Sequence, residues 1–251
     1  MESESRETAP TTKLNRLATF PTVVASVRRV SETLVTLQLV LDEPQSYVFD
    51  AGQFLYCFAP LEGGEVRRPY SISSPSSALP RFDLCVSKVN PKGVSGWLYN
   101  LETGSTLQVS RALGTFTFKS PPGREVVFLA TGTGVAPFRA MLLERLAAAD
   151  SRRFTLVLGS GHAVNLAYHD EFKALARSHP NFQYVPTLTR ATEFEWSGAR
   201  GRVQERFLES FQGRTDIDVY VCGIPVMVHA VKALLRDGGL PPKQIFSEIY
   251  V

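Results

Sequence analysis

The sequence that follows the segment SPPGRE alternates between short apolar segments and longer segments with helical spacing. EVVFLA is a continuous apolar segment, typical of a strand in a parallel sheet that helices cover on both faces. In the next segment, APFRAMLLERLAAA, apolar residues recur at helical spacing: Phe138, Met141, Leu142 and Leu146. The alternation continues through FTLVLG, YHDEFKALARS, FQYVPTL, VQERFLESF, DVYVCG and PVMVHAVKALLRD to QIFSEIYV. This pattern predicts an α/β domain with a doubly wound parallel sheet.

The preceding half has a pattern that is typical of an all-β domain. From Phe20 to about Lys119, short segments are rich in β-branched and aromatic residues, and most are separated by Gly, Pro, Asp or Ser: TVVASV, TLVTLQLV, QFLYCF, RFDLCVSKV, STLQV and GTFTF. Several short strands at this spacing predict a small antiparallel barrel or sandwich. We therefore predict a flexible tail over 1–18, an antiparallel β-barrel over 19–120 and an α/β domain over 121–251.

The composition excludes several functional classes. With 44% apolar and 20% charged residues in 251 positions, the chain is typical of a globular protein of one or two domains. It contains no run of 18 or more apolar residues, so we expect no membrane-spanning helix. The formal net charge of +3 does not by itself indicate nucleic-acid binding. We expect neither a membrane nor a nucleic acid as a partner.

The cysteines indicate the compartment. Cys57, Cys85 and Cys222 lie far apart without clustered spacing, which argues against an iron–sulfur cluster, a zinc site and a disulfide scaffold. We therefore expect no metal.

The first 18 residues lack the hydrophobic core of a secretory signal, and their three glutamates are atypical of a transit peptide. A reducing cytoplasm is the expected location.

A glycine-containing loop follows the first strand of the α/β half. In LATGTGVAPF, Gly132 and Gly134 stand between the predicted strand and its helix, where backbone N–H groups can approach a phosphate. Pro137 occupies the position of the third glycine or alanine of the usual dinucleotide fingerprint, and suits a first helical turn. The loop predicts nucleotide binding; the alternative is a plain tight turn between a strand and a helix.

The next strand bears on the choice of nucleotide. It ends at Leu158-Gly159-Ser160 without the acidic residue that grips a ribose diol in many NAD-binding proteins. Two arginines, Arg190 and Arg202, follow predicted strand ends further along, where either could pair with a 2′-phosphate. The alternative is that both are ordinary solvated surface arginines.

Three motifs stand in a fixed order along the chain: RPYS in the β-rich half, GTGVAP at the start of the α/β half, and YVCGIPVMV near the end, before a closing E-x-Y. Together they resemble the ferredoxin–NADP⁺ reductase family, whose members carry an FAD-binding barrel and an NADP-binding α/β domain. The resemblance extends from Phe20 to Val251 and is closest to the bacterial reductases that serve ferredoxin or flavodoxin.

We expect the segment RRPYSISS to be a loop between strands. The resemblance implies that this segment binds FAD. It implies that Arg68 neutralises the FAD pyrophosphate, that Tyr70 lies against the isoalloxazine ring and that the Ser71 hydroxyl bonds near the reactive N5, with Pro69 between them. Each side chain suits one part of FAD: a cation suits the pyrophosphate dianion, an aromatic ring suits the flat isoalloxazine, and a hydroxyl suits hydrogen bonding near N5. The alternative is a surface loop with an incidental arginine.

A second segment, KVNPKGVSGWL, resembles the family's next FAD contact. There a glycine and a serine open a helix beneath the pyrophosphate, which implies roles for Gly93, Val94 and Ser95. A helix-capping serine without any ligand is the alternative. The preceding residues match positions whose backbone contacts the ribityl and adenosine portions of FAD: Cys85, Val86 and Ser87.

In the α/β half, the resemblance implies that the NADP pyrophosphate is bound by one loop, consisting of Thr131, Gly132, Thr133 and Gly134. It places Cys222 beside the nicotinamide at the transfer site. Glu248 is expected to help manage charge or protons there, and Tyr250 to stack on the flavin face that the nicotinamide must occupy. The alternatives are an ordinary buried cysteine and an ordinary closing strand.

Two departures from the bacterial pattern bear on cofactor binding. Gly161 stands where that pattern has an arginine for the 2′-phosphate, so the expected preference for NADPH depends on Arg190 and Arg202, assisted by Ser160. Val251 stands where many bacterial relatives have a tryptophan that stacks on the FAD adenine. Since valine cannot stack in this way, we expect looser binding of FAD or a different placement of its adenine.

These expectations predict an FAD-dependent oxidoreductase that exchanges electrons between NADPH and a one-electron carrier, ferredoxin or flavodoxin. A hydride is expected to pass to flavin N5 beside the catalytic residues Ser71, Cys222, Glu248 and Tyr250. We expect a monomer. The alternatives are a reductase component of an oxygenase or a reductase that releases free reduced flavin. A non-catalytic nucleotide-binding module of an electron-transfer complex is the alternative from another class.

Overall fold

The computed structural model describes residues 17–42, 46–190 and 196–250. Most of the predicted tail, residues 1–16, and the predicted cofactor contact Val251 lie outside these ranges. Within them, no helix has both the length and the hydrophobicity required to cross a membrane.

The first domain is an antiparallel sheet of six strands with one short helix. The strands are β1 (Thr19–Ser31), β2 (Leu34–Leu41), β3 (Phe54–Leu61), β4 (Gly64–Ser71), β5 (Arg81–Ser87) and β6 (Thr106–Ser110), and the helix is α1 (Val94–Tyr99). Their order is β4-β3-β6-β1-β2-β5. A bridge between Ile72 and Leu84 brings the end of β4 against β5, so the sheet curls around its own core. The predicted antiparallel barrel is confirmed.

The apolar pattern along β2 shows which face of this sheet is buried. Along β2, Val35, Leu37, Leu39 and Leu41 are buried, and the residues between them are only half-buried. Side chains of a strand alternate between its two faces, so this spacing places the aliphatic residues in the interior. They form one core cluster with residues of the other strands and of α1.

The second domain is a parallel sheet covered by four helices. Its strands are β7 (Glu125–Thr131), β8 (Phe154–Ser160), β9 (Phe182–Leu188), β10 (Ala199–Arg200), β11 (Ile217–Gly223) and β12 (Ile245–Ile249). Its helices are α2 (Ala136–Ala147), α3 (His169–Ser178), α4 (Val203–Phe211) and α5 (Pro225–Asp237). The strand order is β10-β9-β8-β7-β11-β12, and all neighbouring pairs are parallel.

Strand β7 shows that helices cover both faces of this sheet. Val126 and Phe128 belong to a core cluster with residues of α2 and α3, whereas Val127 and Leu129 belong to a second cluster with residues of α4 and α5. All of them are fully buried. A strand that is buried on both faces has a continuous apolar sequence, as EVVFLA does. The predicted doubly wound domain is confirmed.

Two local predictions are wrong. Residues 67–71 of RRPYSISS form the end of strand β4, not a loop. Pro69 is tolerated there because β4 is an edge strand, where a missing N–H need not interrupt a ladder. GTFTF, residues 114–118, forms no strand. Its rings pack into the α/β domain instead, with Phe116 against Phe138 and Phe118 stacked on Tyr220.

The parallel strands place several loops at one edge of the sheet. Thr131, at the end of β7, pairs with Gly159 of β8, and Cys222 of β11 pairs with both Ala130 and Glu248. Loops at the carboxyl ends of parallel strands commonly form the binding crevice of such folds. Here this edge faces the end of β4 of the first domain, since Ser71 contacts Tyr250.

Candidate functional site

A cleft of about 1440 Å³ runs between the two domains. Typical small-molecule pockets occupy about 300–1,000 Å³, so this cleft is large enough for more than one ligand of ordinary size. Most of the predicted binding residues line it: Arg68, Pro69, Tyr70, Ser71, Cys85, Ser87, Gly93, Val94, Ser95, Thr131, Gly132, Thr133, Arg190, Arg202, Glu248 and Tyr250. Gly134, Cys222 and Val86 are buried behind its wall.

Strand β4 brings a cation and an aromatic ring to the cleft. Arg68 is exposed, and its Nη1 donates to the backbone carbonyl of Arg67 over 2.9 Å. It forms no ion pair with any carboxylate in the described parts of the chain, so its charge is available to an anion. Tyr70 is half-buried against the barrel core. Burial raises the pKa of its phenol, which therefore stays protonated at neutral pH.

Three polar side chains meet where the domains touch. The Tyr250 hydroxyl donates to Oγ of Ser71 over 2.5 Å, and Ser71 Oγ donates to Oε2 of Glu248 over 3.5 Å. The backbone N–H of Tyr250 donates to the carbonyl of Gly223 over 2.9 Å, which holds Tyr250 beside β11. Ser71 is only 5% exposed. The cluster links the barrel to the last strand of the α/β domain.

Burial controls the protonation of this cluster. It raises the pKa of Glu248 from 4.5 to about 7, and the Ser71 hydrogen bond opposes the rise by favouring the carboxylate. Burial also raises the pKa of the Cys222 thiol, and the neighbouring Glu248 raises it further. The pKa of Tyr250 is raised by burial and then by Cys222. Glu248 is therefore the member of this cluster that titrates near neutral pH.

The glycine loop is pressed against the end of β11. It forms a 3₁₀ turn over residues 132–135 that leads directly into α2. A Cβ on Gly134 would lie 2.4 Å from the carbonyl oxygen of Cys222, closer than real Cβ contacts allow. Gly132 has a φ of +54° and nothing within 4 Å of a built Cβ. The loop thus has one glycine for close packing and one that leaves open space beside the cleft.

Thr131 carries a hydroxyl without a partner. Its Oγ1 is buried and makes no hydrogen bond with any described residue, although Thr131 itself lines the cleft. A buried polar group without a partner costs free energy, and a ligand in the cleft could supply the partner if Thr131 turned its hydroxyl toward the cleft. Gly223, with a φ of +149°, leaves room for it, since a Cβ there would lie 2.2 Å from Thr131 Oγ1. No role was predicted for Gly223 from the sequence, although it directly follows Cys222.

At the far end of the cleft, Arg190 lies beside Gly161. The backbone N–H of Arg190 donates to the Gly161 carbonyl over 3.1 Å. Its Cδ lies 3.7 Å from the position of a built Cβ on Gly161. Arg202 caps α4, and its backbone N–H donates to Oε2 of Glu205 over 3.1 Å. Both arginine side chains are exposed at the cleft.

The remaining predicted contacts come from β5 and α1. Cys85 and Ser87 line the cleft, whereas the Val86 side chain is buried in the barrel core, as the alternation of a strand requires. Any contact of Val86 with a ligand would thus use its backbone. The Ser95 hydroxyl accepts from the Asn90 N–H over 3.0 Å and donates to the Asn90 carbonyl over 3.2 Å. Ser95 therefore holds the turn before α1.

Two family models match the chain, one for each domain. Residues 21–118 match an oxidoreductase FAD-binding domain, and residues 128–233 match an oxidoreductase NAD-binding domain. The residues fit such groups on structural grounds as well. The size of the cleft, the free charge of Arg68 and the unpartnered Thr131 hydroxyl suit large phosphate-containing cofactors.

Two relatives illustrate the range of similar proteins. Ferredoxin–NADP reductase B from Sorangium cellulosum (strain So ce56) is 35% identical over 238 residues, which cover 92% of this chain and 97% of that protein. The reductase component of phenol 2-monooxygenase from Pseudomonas sp. (strain CF600) is 32% identical over 229 residues. That match covers 90% of this chain but only 64% of the monooxygenase component.

A solved structure shows the same fold. The crystal structure of a ferredoxin NADP⁺ reductase from Neisseria gonorrhoeae, with bound FAD and NADP, superimposes with a TM-score of 0.79 at 24% identity. The match covers 92% of this chain and 98% of that one. The curled antiparallel sheet, the parallel sheet and their arrangement are therefore shared.

Proposed function

This chain belongs to the ferredoxin–NADP⁺ reductase family, and we propose that it exchanges electrons between NADPH and a one-electron carrier protein, ferredoxin or flavodoxin. It is an oxidoreductase that binds FAD and a nicotinamide nucleotide through its two domains. The observation that carries the proposal is the cluster of Ser71, Glu248 and Tyr250 at the domain boundary. A protein that only bound nucleotides would not need a titrating carboxyl and a hydroxyl at that point.

The residues divide between the two cofactors. In the proposed complex, Arg68 neutralises the FAD pyrophosphate and Tyr70 supports the flavin ring. The backbone amides at the start of α1 and the edge of β5 bind the remainder of FAD. The loop from Thr131 to Gly134 holds the nucleotide pyrophosphate, with the Thr131 hydroxyl gaining the partner that it lacks among the described residues. When bound, FAD supplies the redox chemistry: it accepts a hydride from the nicotinamide at N5 and releases electrons singly.

The chain's own groups shape the transfer site. We propose that the Tyr250 ring covers the flavin face and moves aside for the nicotinamide, so the hydrogen bond to Ser71 is exchanged for another partner. Ser71 then directs its hydroxyl to N5, and Glu248 adjusts the local charge because its pKa is about 7. Cys222 is fully buried behind the cleft wall, so any effect that it has on the nicotinamide passes through the residues that cover it.

We propose a preference for NADPH over NADH. Gly161 removes the arginine of the bacterial pattern, and Arg190 lies against that position instead. Its guanidinium and that of Arg202 supply cations at the end of the cleft for a 2′-phosphate. One charged contact is worth about 1.5 to 3 kcal/mol, or about one to two decades of affinity. The margin of preference therefore depends on these two arginines.

An acidic carrier is the proposed protein partner. The described cations that line the cleft are Arg68, Lys92, Arg190 and Arg202, and Glu248 is the one described carboxylate among the lining residues. Because Arg68, Arg190 and Arg202 are assigned to cofactor phosphates, the attraction of a negatively charged carrier depends on Lys92 and on cations outside the lining, and it makes the association rate depend on salt. Arg67, Arg111 and Lys119 are exposed outside the cleft lining, and we propose that they contribute to this attraction. We propose that the protein acts as a monomer in the cytoplasm, where its three free cysteines stay reduced.

A reductase component of an oxygenase is the second candidate. The similarity to the phenol 2-monooxygenase component favours it. Many such components carry a clustered-cysteine iron–sulfur domain, whereas the cysteines of this chain are buried and far apart. On either proposal, the chain passes its electrons to a separate protein.

The test is the rate of NADPH-dependent reduction of three acceptors by the FAD-loaded protein: a ferredoxin, a flavodoxin and ferricyanide. We expect reduction of ferricyanide and of at least one carrier, with the carrier rate falling as salt is raised. Ferricyanide reduction without reduction of either carrier would favour the oxygenase component. Absence of any NADPH oxidation would contradict the proposal. Release of free reduced flavin would instead favour a flavin reductase.

A further inference from the structure

We propose that Arg139 is a positioning residue that fixes the two halves of the cleft relative to each other, and so sets the approach of the nicotinamide to the flavin. This inference rests on the proposed function. Arg139 belongs to α2, and its side chain is only 12% exposed. Its role follows from the partners that its guanidinium contacts in the two domains.

One guanidinium joins the two domains. In the α/β domain, Arg139 Nε donates to both carboxylate oxygens of Glu171, over 3.0 and 2.9 Å. Across the boundary, Nη1 donates to the backbone carbonyl of Ser73 over 2.8 Å and to Oδ2 of Asp83 over 3.0 Å. A planar guanidinium with several directed donors holds such partners in a defined geometry, which an ammonium group cannot reproduce.

The partners of Arg139 are close in sequence to the proposed cofactor contacts. Helix α2 continues directly from the 3₁₀ turn that ends at Val135, so the phosphate loop and Arg139 move together. Ser73 follows Ser71 by two residues, and Asp83 precedes Cys85 by two residues on β5. The guanidinium therefore connects the nucleotide half of the cleft to both barrel segments that form the flavin half.

Tyr168 completes the arrangement. The Arg139 guanidinium lies over its ring at 4.4 Å, and its hydroxyl lies 2.8 Å from Oγ of Ser73. Tyr168 has a φ of +58°, a left-handed conformation that is uncommon for a residue other than glycine. Such a conformation persists where the surrounding contacts enforce it, and strained residues of this kind cluster near functional sites. Here the enforcing contacts are those of the domain boundary.

A purely stabilising ion pair is the alternative. Buried ion pairs contribute little net stability on average, since the loss of hydration offsets the attraction. A stabilising role predicts that loss of Arg139 lowers the unfolding temperature and the FAD content together. A positioning role predicts that the rate of flavin reduction falls while FAD content and nucleotide affinity are kept. A misplacement of about 1 Å can cost about 100-fold in rate.

The experiment compares four variants of the full-length, FAD-loaded protein: Arg139→Lys, Arg139→Met, Asp83→Asn and the control Arg214→Met. Arg214 pairs with Glu125 and Asp216 and is not among the residues that line the cleft. Stopped-flow mixing gives the limiting rate of flavin reduction at saturating NADPH. Titration with NADP⁺ gives the affinity and the long-wavelength absorbance of the flavin–nicotinamide pair, and hydrogen exchange reports on the amides of residues 73–83.

We expect Arg139→Met to lower the limiting rate of flavin reduction about 10- to 100-fold and to weaken the long-wavelength absorbance. Its NADP⁺ affinity should stay within about two-fold of that of the unaltered protein. Arg139→Lys and Asp83→Asn should lower the rate less, and exchange at residues 73–83 should be faster in all three variants. An unchanged rate and absorbance in Arg139→Lys and Asp83→Asn would overturn the inference, even if Arg139→Met fails to fold. So would a loss of rate that only follows loss of FAD.

The two proposals fail in different ways. If NADPH does not reduce the flavin of the unaltered protein, the proposed function is wrong. The exchange measurement still tests the contact across the domain boundary in that case. If the unaltered protein is reduced and Arg214→Met slows reduction as much as Arg139→Met, the positioning role of Arg139 is wrong and the proposed function stands.

Discussion

The Tyr250 hydroxyl donates a hydrogen bond of 2.5 Å to Oγ of Ser71, although the two residues are 179 positions apart in the chain. This contact joins the end of the α/β domain to the end of strand β4, and Glu248 extends it. Both residues line the cleft that the proposed cofactors occupy. The contact therefore marks the point at which the two domains form one reaction site.

Replacement of Ser71 by alanine is expected to slow flavin reduction at least about 10-fold while FAD content stays close to that of the unaltered protein. The hydroxyl contributes an interaction at the reacting atom, whereas Arg68 and Tyr70 carry most of the proposed binding. Rapid-mixing kinetics with NADPH measure the rate. Ser105→Ala, outside the cleft, is the matched control. Loss of FAD without a slower rate in the loaded fraction would reject this role for Ser71.

The rate of flavin reduction is expected to rise as the pH passes through about 7, the raised pKa of Glu248. A carboxylate at this point stabilises the positive charge that develops on the nicotinamide ring. The variant Glu248→Gln should be slower at pH 8 and show no such transition. A pH–rate profile from 5.5 to 9 measures this. Persistence of the same transition in Glu248→Gln would assign it to another group.

Glu248 also makes stability depend on pH. Its folded pKa is raised above its ordinary value of 4.5, so the folded protein binds the proton more tightly than the unfolded chain does. Its contribution to stability is complete below that ordinary value and is lost as the pH rises through about 7. Relative to the unaltered protein, Glu248→Gln should therefore gain stability between pH 5 and pH 8. Urea unfolding at the two pH values tests the sign.

Arg190→Ala is expected to lower kcat/KM for NADPH by about one to two decades and to leave kcat/KM for NADH nearly unchanged. The reason is that the 2′-phosphate is the one group that distinguishes the two nucleotides. Arg177→Ala is a suitable control, since Arg177 is exposed on α3 and does not line the cleft. Equal kcat/KM for both nucleotides in the unaltered protein would show that the proposed preference is wrong.

Gly134→Ala is expected to destabilise the protein more than Gly132→Ala. The new Cβ at position 134 would lie 2.4 Å from the Cys222 carbonyl oxygen, so the loop must shift; overpacking of this kind costs about 3 kcal/mol at the upper end of its usual range. At position 132 the space is open and the cost is the left-handed backbone, about 1–2 kcal/mol. Thermal unfolding of both variants compares them. A larger loss in Gly132→Ala would contradict the packing argument.

Apolar periodicity, residue composition and turn residues predicted the two-domain architecture. The strands and helices of the α/β domain follow from segments such as EVVFLA, because a parallel sheet buries both faces of its strands. The glycine loop, Ser71 and Glu248 were also predicted as parts of one site, and they line one cleft or pack against it. This part of the prediction came from the resemblance to the ferredoxin–NADP⁺ reductase family, which short local motifs carry.

The features that were missed depend on distant contacts. GTFTF has the composition of a strand, but Phe116 and Phe118 pack into the core of the α/β domain. RRPYSISS has few ordinary core residues and was predicted as a loop, but an edge strand tolerates its Pro69. Neither the space that Gly223 leaves for Thr131 nor the contacts of Arg139 across the boundary has a signature in the local sequence.

The most direct test of the account is the visible spectrum of the purified protein before and after anaerobic addition of NADPH. We expect a yellow protein with flavin absorption, which is lost when NADPH is added anaerobically. A colourless protein that cannot be reconstituted with FAD, or a flavin that NADPH leaves oxidised, would contradict it.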